Sequence, residues 1–584
     1  MSSHLNIDEG QPLLSGTSTT ENDNNSDDGH NYDNSAYSHD GMGLDEVDIN
    51  PYESAPPERK QRISGRTLMV VGTILVTELC ERLTFYSVVG SMVLYCTSHL
   101  KFPSIDAANI SLIFQGTVYL LPVVGGYVAD VVAGRYKTIL GSGLIYLIGL
   151  FLLPASAVDF KAWFGEDSSG RAYALDLTGK RGFFLTGLVF IAIGTGGIKA
   201  NVGPFGAQQV EKLGDVAVQT FFNWFYWFIN VGGLIAFSAV SYIQQEVSFS
   251  WGYLVPLISM IVAILIFLFS RRCYAHLEVQ GSVLTTVFKI CHTGCEKSEK
   301  KVKFFDKART SHGGKFDDYT VDGLICALRV LPIFLLVIIY WAVYSQMTST
   351  FFLQGERLNV AIGDGKLPVA ILNVFNTIAI LILIPLVDRL VYPFFTRIGR
   401  PLTHLKRMGI GFLLAAMSVI AAGVLEIYRK DELRSSGGIV QQLGGETFNS
   451  SHITLFAQVP QFALIGASEV FASISALEFA FTQVPHSMQG LVTGLCLAAS
   501  GLGNYVSMAI TNIVVASTRS DPWFPDEINN GKAENLFFLI GGLMLLNFII
   551  FVFVARAYKY RDVAGNLPPD KTVTENTDNP NTKL

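Results

Sequence analysis

Apolar runs of about 20 residues recur along the chain, and each is long enough to cross a membrane as a helix. A hydrocarbon core of about 30 Å requires about 20 apolar residues at the helical rise of about 1.5 Å. The pattern predicts an all-α membrane protein with twelve transmembrane helices, six on each side of a polar connection. The predicted spans are 67–95, 108–130, 137–157, 182–204, 221–245, 251–270, 325–347, 369–392, 407–427, 454–482, 489–517 and 535–557.

Charged residues are rare inside these runs and common at the ends and centre of the chain. Of all residues 50% are hydrophobic and 15% are charged, against about 25% charged in ordinary soluble domains. The first 65 residues are acidic and rich in Ser, Asn and Asp, so we expect them to be disordered. The predicted domains are the acidic cytoplasmic tail 1–65, an N-terminal six-helix bundle 66–270, a basic cytoplasmic linker 271–320, a C-terminal six-helix bundle 321–557 and a cytoplasmic tail 558–584.

The distribution of Lys and Arg predicts that both termini lie in the cytoplasm. The flank before the first span, the loops after spans 2 and 8, and the linker are all basic, which is typical of cytoplasmic loops. The loop 428–453 would then lie on the opposite side. It contains Asn449-Ser450-Ser451, a sequence that is glycosylated at Asn449 when it faces the lumen. Six spans, a basic linker and six further spans are the plan of the major facilitator fold.

Five ionisable residues lie five or more residues from both ends of a predicted span, where each costs about 2.5–3.5 kcal/mol on the most lenient scale. They are Glu78, Glu81, Arg82, Lys199 and Glu469. The first three share one helical face, because they are three and four residues apart. One arginine cannot neutralise two carboxylates, so the group favours a proton-accepting site. The alternative is a set of structural ion pairs, although hydrophobic replacements of buried pairs are often as stable.

Neither an enzyme nor a metal centre is indicated by the sequence. The spans contain no combination of nucleophile and base, so we predict no catalytic residue. Cys291, His292 and Cys295 lack a second pair of ligands at metal-binding spacing. We therefore predict no metal and no cofactor, with protons as the coupling ion. The basic linker is explained by a solvated cytoplasmic connection and requires no nucleic-acid partner.

The segment Glu78-Leu79-Cys80-Glu81-Arg82-Leu83-Thr84-Phe85-Tyr86 resembles the ExxERFxYY motif of the proton-coupled oligopeptide transporters (the POT/PTR family of the major facilitator superfamily). The similarity extends over about residues 67–557 and is greatest to the lysosomal peptide/histidine branch. Further matching segments are 125–130, 134–138, 194–199, 205–207, 225–232, 346–351, 459–470 and 477–479. The glycines Gly194, Gly196 and Gly197 within them are also typical of close helix packing.

The resemblance implies a symporter that moves di- and tripeptides, and also histidine, together with protons by alternating access. It implies proton-coupling roles for Glu78, Glu81, Arg82, Lys199 and Glu469. The residues that it implies for the substrate cavity are Tyr86, Tyr119, Asn230, Trp341, Gln346, Asn376 and Glu469. For the polar members the competing interpretation is a hydrogen bond between helices, and for the aromatic members it is ordinary packing.

Three departures from the family pattern concern the substrate. Val89 replaces an arginine that holds the substrate carboxylate in several relatives, and Ser345 replaces an acidic gate residue. The Leu495-Cys496 region also lacks a frequent tryptophan. The carboxylate anchor would then shift to Lys199, or the substrates differ. Two further functions remain open, namely transport of nitrate or another small anion and a transporter-derived membrane sensor or signalling scaffold.

The acidic tail contains a sorting pattern. Glu9-Gly10-Gln11-Pro12-Leu13-Leu14 fits the acidic dileucine form ExxxLL, so Glu9, Leu13 and Leu14 predict recognition by sorting adaptors. We therefore expect a multi-pass glycoprotein in the lysosomal or endosomal membrane, with the plasma membrane as the alternative. The expected partners are small peptides, histidine, the lipid bilayer and those adaptors.

Overall fold

The computed structural model describes residues 64–158, 175–275, 282–295, 303–485 and 488–560. The sorting pattern at Glu9–Leu14 lies outside the described residues. Within them the chain is almost entirely helical, apart from two short β-hairpins.

The first half of the chain supplies six membrane-spanning segments. Three of its helices begin at side-chain caps, since Ser64, Asp176 and Ser248 accept hydrogen bonds from the amides of Arg66, Gly179 and Ser250. Its helices are α1 (Gly65–Gly90), α2 (Met92–Ser98), α3 (Ser104–Val128), α4 (Arg135–Ala157), α5 (Leu177–Val210), α6 (Asp215–Ile235) and α7 (Phe249–Phe269). Helix α6 continues through two π-helical turns, Ala236–Val240 and Ile243–Val247.

The linker contains one described helix, α8 (Val283–Cys295), which packs beside the start of the second half. The helices of the second half are α9 (Asp318–Tyr344), α10 (Thr350–Gly355), α11 (Leu372–Leu386), α12 (Tyr392–Arg397), α13 (His404–Ser436), α14 (Val459–Glu469), α15 (Ser475–Gln483), α16 (Gln489–Ser517) and α17 (Ala533–Ala557). Its strands are β1 (Ala361–Ile362), β2 (Gly365–Lys366), β3 (Ile439–Leu443) and β4 (Glu446–Ser450).

Eleven described helical segments are long and apolar enough to cross a membrane. The segment built from α1 and α2 is the twelfth, and it differs because α1 carries three buried ionisable residues. The prediction of twelve spans is therefore confirmed.

The prediction of a simple loop at 428–453 was wrong. Helix α13 continues to Ser436, and β3 and β4 form an antiparallel hairpin. The helix extends because its polar residues are buried in pairs with other elements. Glu426 accepts a hydrogen bond from Gln354, and Lys430 pairs with Glu534.

Small residues allow the helices to approach closely, as the sequence predicts. Gly125 in α3 faces Gly196 in α5, where a Cβ added to Gly125 would lie 2.6 Å from the Gly196 carbonyl oxygen. A Cβ on Gly194 would similarly lie 2.7 Å from the Ser142 carbonyl oxygen in α4. Larger side chains at these positions would separate the helices of the first half.

The two halves touch along α3 and α16 and are joined at the end of the membrane domain that carries β3 and β4, called the hairpin end below. Hydrogen bonds between the halves lie at this end or near the middle of the membrane domain. Four of them are Ser104 Oγ to the Asp526 carbonyl (2.7 Å), Asn109 to Asn512 (3.0 Å), Gln115 to Thr348 (2.8 Å) and Thr117 to Tyr505 (2.7 Å). The protein is therefore closed at the hairpin end.

Candidate functional site

The charged residues of α1 form one buried cluster. Arg82 Nε lies 3.2 Å from Glu78 Oε1 and 2.5 Å from Glu81 Oε2. The exposed fractions are 4% for Glu78, 0% for Glu81 and 4% for Arg82. Glu81 Oε1 has no hydrogen-bond partner among the described residues. A single guanidinium group therefore serves two carboxylates, and one carboxylate oxygen stays unpaired.

Helix α6 packs closely against this cluster because Gly232 has no side chain. A Cβ added there would lie 2.8 Å from the Leu79 carbonyl oxygen and 3.1 Å from Arg82 Cβ. On the other side, Thr84 donates a hydrogen bond to the Pro256 carbonyl in α7 at 3.1 Å. These contacts hold the charged face of α1 in one orientation.

Lys199 supplies a second cation from α5. Its ammonium nitrogen lies 3.3 Å from the centroid of the Tyr119 ring and 5.4 Å from that of Phe85. The guanidinium of Arg82 lies 5.4 Å from the same Phe85 ring. Within the described residues Lys199 has no ion-pair partner, so aromatic faces stabilise its charge. The sequence places Lys199 and the α1 cluster in different spans, and the structure brings them together around Phe85.

Glu469 lies in the opposite half, at the end of α14. It is half-buried, its neighbours include Tyr344 and Asn376, and its Oε2 has no hydrogen-bond partner among the described residues. It is also close enough to Tyr86 and Tyr119 to interact with them electrostatically. Glu469 therefore faces the first half across the space between the two bundles.

The helix geometry beside Glu469 is irregular. The residues that follow it, Val470–Ile474, form a π-helical turn, a feature that is frequent at functional sites. Close packing of α14 on α11 depends on Gly466, where a Cβ would lie 2.8 Å from Asn376 Oδ1. Asn376 Oδ1 itself has no hydrogen-bond partner among the residues described. The side-chain amide of Asn376 thus lies beside the Glu469 carboxylate.

Aromatic residues surround these polar groups. Trp341 packs edge-on against Tyr344 with ring centroids 4.9 Å apart, and Tyr86 packs against Phe237 at 5.2 Å. Tyr86, Tyr119 and Trp341 are all half-buried. The predicted aromatic residues therefore border the same interior space as Lys199 and Glu469.

Two of the predicted polar residues have hydrogen bonds within the protein. Asn230 donates to the Tyr226 carbonyl at 2.8 Å. Gln346 is 1% exposed and donates to Ser507 Oγ at 2.7 Å, while its Oε1 accepts from Thr350. In this conformation Gln346 joins α9 to α16, and its contact with substrate stays a prediction.

Two tyrosines near the site were not among the predicted residues. Tyr226 is close enough to Glu469 and Tyr86 for electrostatic interaction, and Tyr344 is a neighbour of Glu469. The spacing contained a usable signal, because Tyr226 stands four residues before Asn230 and Tyr344 three after Trp341. Each therefore shares a helical face with a predicted residue.

Val89 and Ser345, two of the positions that depart from the family pattern, offer no polar group to the interior space. Val89 is 4% exposed within the hydrophobic core. Ser345 is 5% exposed and its hydroxyl donates to the Ala342 carbonyl in its own helix at 2.9 Å. Lys199 and Arg82 are thus the basic residues in the described part of this site.

Asn449 lies at the hairpin end on β4 and is exposed. On α8, Cys291 and Cys295 are free thiols, and the described residues contain no group of three or more metal-ligating side chains. Nothing in the described part of the site therefore indicates a resident metal.

The charges define what the site can do. Glu78 and Glu81 oppose Arg82 and Lys199, so the four groups sum to zero when all are ionised. A proton on either carboxylate leaves one positive charge uncompensated in a low-dielectric region, where such a charge is costly. A bound anionic group would neutralise it, while Glu469 across the space would attract a cationic group.

Comparison with known proteins gives consistent matches. A sequence profile described as "POT family" matches residues 136–530. Protein NRT1/ PTR FAMILY 8.1 of Arabidopsis thaliana is 33% identical over 543 residues, which cover 84% of this chain and 94% of that protein. Solute carrier family 15 member 3 of Mus musculus is 30% identical over 528 residues, covering 83% and 91%.

Solved structures show the same architecture. The crystal structure of an auto inhibited POT family peptide transporter has a TM-score of 0.69 at 24% identity and covers 84% of this chain and 98% of its own. The POT family transporter PepTSo has a TM-score of 0.67 at 25% identity, covering 83% and 97%. The two six-helix halves thus form the major facilitator fold.

Proposed function

Because this chain belongs to the POT family of membrane transporters, we propose that it is a proton-coupled symporter of di- and tripeptides, with histidine as a further substrate. The chain is a multi-pass membrane protein, and the members of its family are transporters and not enzymes. The observation that carries the proposal is that a buried cluster of two carboxylates and one guanidinium, with Lys199 beside it, lies in one half opposite Glu469 in the other half.

The two sides of the site match the two ends of a peptide. At neutral pH a peptide has a positive amino group and a negative carboxylate. Glu469, whose Oε2 is unpaired, offers a charge-assisted hydrogen bond to the amino group. Lys199, whose ammonium rests on the Tyr119 ring and has no described ion-pair partner, offers one to the carboxylate. Aromatic residues between them would cover the side chains of the peptide without selecting one sequence.

Coupling follows from the charge count. A proton on Glu78 or Glu81 removes one negative charge. The attraction between the carboxylates and the two cations, Arg82 and Lys199, is then weaker. The site then has the positive charge that a peptide carboxylate neutralises, so proton and peptide favour each other's binding. Such a reciprocal effect is required of any two coupled ligands. In this proposal Lys199 takes the role of the arginine that Val89 replaces.

Uptake into vesicles tests the function directly. Purified protein in liposomes is expected to accumulate a radiolabelled dipeptide on the neutral side of a membrane that is acidic on the other side. Two pH units supply about 2.8 kcal/mol per proton, enough for about a hundredfold peptide gradient with one proton. A protonophore is expected to reduce accumulation to simple equilibration, and protein-free vesicles provide the background.

The same vesicles distinguish the competing functions. Unlabelled nitrate and unlabelled histidine are added separately as competitors of the labelled dipeptide, and nitrate uptake is measured on its own. Proton-driven nitrate uptake without dipeptide uptake would refute peptide symport and support the anion transporter. Absence of transport of any of the three would favour the sensor or scaffold.

For the compartment, we propose the lysosomal or endosomal membrane, with both termini cytoplasmic. The proposal rests on the acidic dileucine pattern at Glu9, Leu13 and Leu14 and on the likeness to the peptide/histidine branch. Acidity inside such organelles would drive peptides toward the cytosol. Exposure of Asn449 at the hairpin end is compatible with glycosylation on the lumenal side.

Replacement of both leucines, Leu13→Ala with Leu14→Ala, is expected to move the protein from lysosomes to the cell surface. The reason is that the adaptor then loses both apolar contacts of the motif. Surface biotinylation measures the change, and Leu5→Ala serves as the matched control in the same tail. In the same experiment, glycosidase treatment is expected to lower the mass of the wild-type protein but not that of Asn449→Gln. This difference would report that Asn449 faces the lumen. Unchanged lysosomal location in the double variant would contradict the sorting role.

A further inference from the structure

The hairpin of β3 and β4 has a tightly defined tip. The strands pair antiparallel up to Leu443 opposite Glu446, so only Gly444 and Gly445 connect them. Both glycines have positive φ, 55° and 86°. Two-residue hairpin turns of this kind require positive φ at both positions, which glycine adopts without strain. The tip therefore has a fixed shape.

The base of the hairpin is fixed to the second half. Gln441 donates hydrogen bonds to the carbonyls of Glu356 (3.1 Å) and Leu358 (2.7 Å), and Ser450 Oγ donates to the Glu356 carbonyl at 3.2 Å. Beneath them Arg357 forms ion pairs with Glu356 (2.6 Å) and Glu527 (3.3 Å). The hairpin is consequently a rigid extension of the second half and moves with it.

The tip rests on the first half. The Gly444 amide donates to the Gln245 carbonyl at 3.2 Å. A Cβ added to Gly444 would lie 3.1 Å from the Phe249 ring, 3.2 Å from Ser98 Oγ and 3.3 Å from Leu94. The next residue but one, Glu446, forms an ion pair with Lys101. The backbone of the tip thus fits against the ends of α2 and α7.

A second contact lies beside the tip and uses the loop after β2. The buried Gln245 side chain donates to the Leu367 carbonyl at 3.1 Å and accepts from the Val369 amide at 3.0 Å. Lys366 connects this loop to the hairpin and to the first half. Its ammonium lies 3.0 Å from the Gln442 carbonyl on β3 and 3.8 Å from Glu246. Gln245 therefore binds the second half through its backbone and through both ends of its side chain.

We propose that this hairpin is a clasp, made of the β3–β4 tip and Gln245, that holds the two halves together at the hairpin end. The inference rests on the proposed function, because alternating access requires this end to open. Opening there must then break the contacts at Gly444 and Gln245 together. The Lys101–Glu446 pair is exposed and contributes little by itself, so the clasp depends mainly on the buried Gln245 bonds and the fit of the tip.

Reversible cross-linking tests whether the clasp must open during transport. Lys101→Cys and Glu446→Cys are combined in a Cys295→Ser background and bridged with a short, reducible bifunctional thiol reagent. Uptake by the bridged protein is expected to fall to the background of protein-free vesicles and to return after reduction. Each single-cysteine variant, treated alike, is the control. Unchanged uptake with the bridge in place would overturn the proposal.

A distance measurement tests the clasp without any substrate. Spin labels at Thr178→Cys in the first half and Val440→Cys on β3 are both at exposed positions of the hairpin end. Adding Gln245→Ala and Gly444→Val is expected to shift the distance distribution toward longer values. Asp364→Ala, an exposed change on the same face, is the matched control. An unchanged distribution would refute the clasp, whereas absent transport by the wild-type protein would refute only the proposed function.

Discussion

Glu78→Gln combined with Glu81→Gln is expected to abolish proton-driven accumulation of peptide while substrate exchange across the membrane continues. Glutamine keeps the size and some hydrogen bonds of the carboxylate but cannot bind or release the proton. Exchange requires only that the loaded protein changes conformation in both directions, so no net proton transfer is needed. Under a gradient of two pH units, accumulation should therefore fall by about a hundredfold, to equilibration.

The single variants are expected to differ. Glu81 is fully buried and has the shorter contact with Arg82, 2.5 Å against 3.2 Å for Glu78. Removing one partner of a buried pair costs about 3–5 kcal/mol. We therefore expect Glu81→Gln to lower the unfolding temperature more than Glu78→Gln does, as measured by thermal unfolding in detergent.

Glu211→Gln is the matched control, since it makes the same replacement at an exposed position outside the site. It should keep wild-type accumulation and stability. The double variant must also unfold cooperatively and catalyse exchange, which separates lost coupling from lost folding. Peptide accumulation at the wild-type level in the double variant would show that the α1 cluster does not couple protons to transport.

Glu469→Gln is expected to weaken binding of peptides that have a free amino group. A hydrogen bond to a charged group contributes about 1.5–3 kcal/mol, so the apparent affinity should fall by about 10- to 150-fold. The Oε2 atom has no hydrogen-bond partner among the described residues, so it is available to accept a bond from the amino group of the substrate. The affinity is measured as the concentration of peptide that halves uptake of a labelled dipeptide.

An N-acetylated dipeptide turns this experiment into a double-mutant cycle. Acetylation removes the positive charge of the substrate's amino group, which is the proposed partner of Glu469. The wild-type protein should prefer the free peptide strongly, and Glu469→Gln should discriminate much less between the two. Asp521→Asn, at an exposed site on the loop before α17, is the control. Equal discrimination in wild type and Glu469→Gln would place the amino group elsewhere.

Features that depend on neighbours in sequence were predictable from the chain alone. The twelve spans follow from the length of apolar runs, because a bilayer imposes one length on every helix. The shared face of Glu78, Glu81 and Arg82 follows from helical geometry, and the structure has them in contact. Close packing at Gly194 and Gly196 was likewise visible, since small residues have few other uses within a membrane helix.

Features that depend on distant residues were not predictable in the same way. The predicted span ends at residue 427, just after Glu426 and before Lys430, because charged residues are expensive in an apolar region. Gln354 and Glu534, which stabilise them, are 72 and 104 residues away. The docking of the β3–β4 tip was not predictable for a related reason, since its partners Gln245 and Phe249 lie in the first half of the chain.

The sequence by itself determined that this is a twelve-span membrane protein with a charged face on its first helix. Those properties arise from hydrophobicity and from spacing within one element. Only the tertiary structure decided that Lys199 rests on Phe85 and Tyr119 beside that face, that Glu469 opposes it, and that Gln346 is held by Ser507. These relations join residues that are 80 or more positions apart in the chain, and helix packing, not local pattern, sets which of them meet.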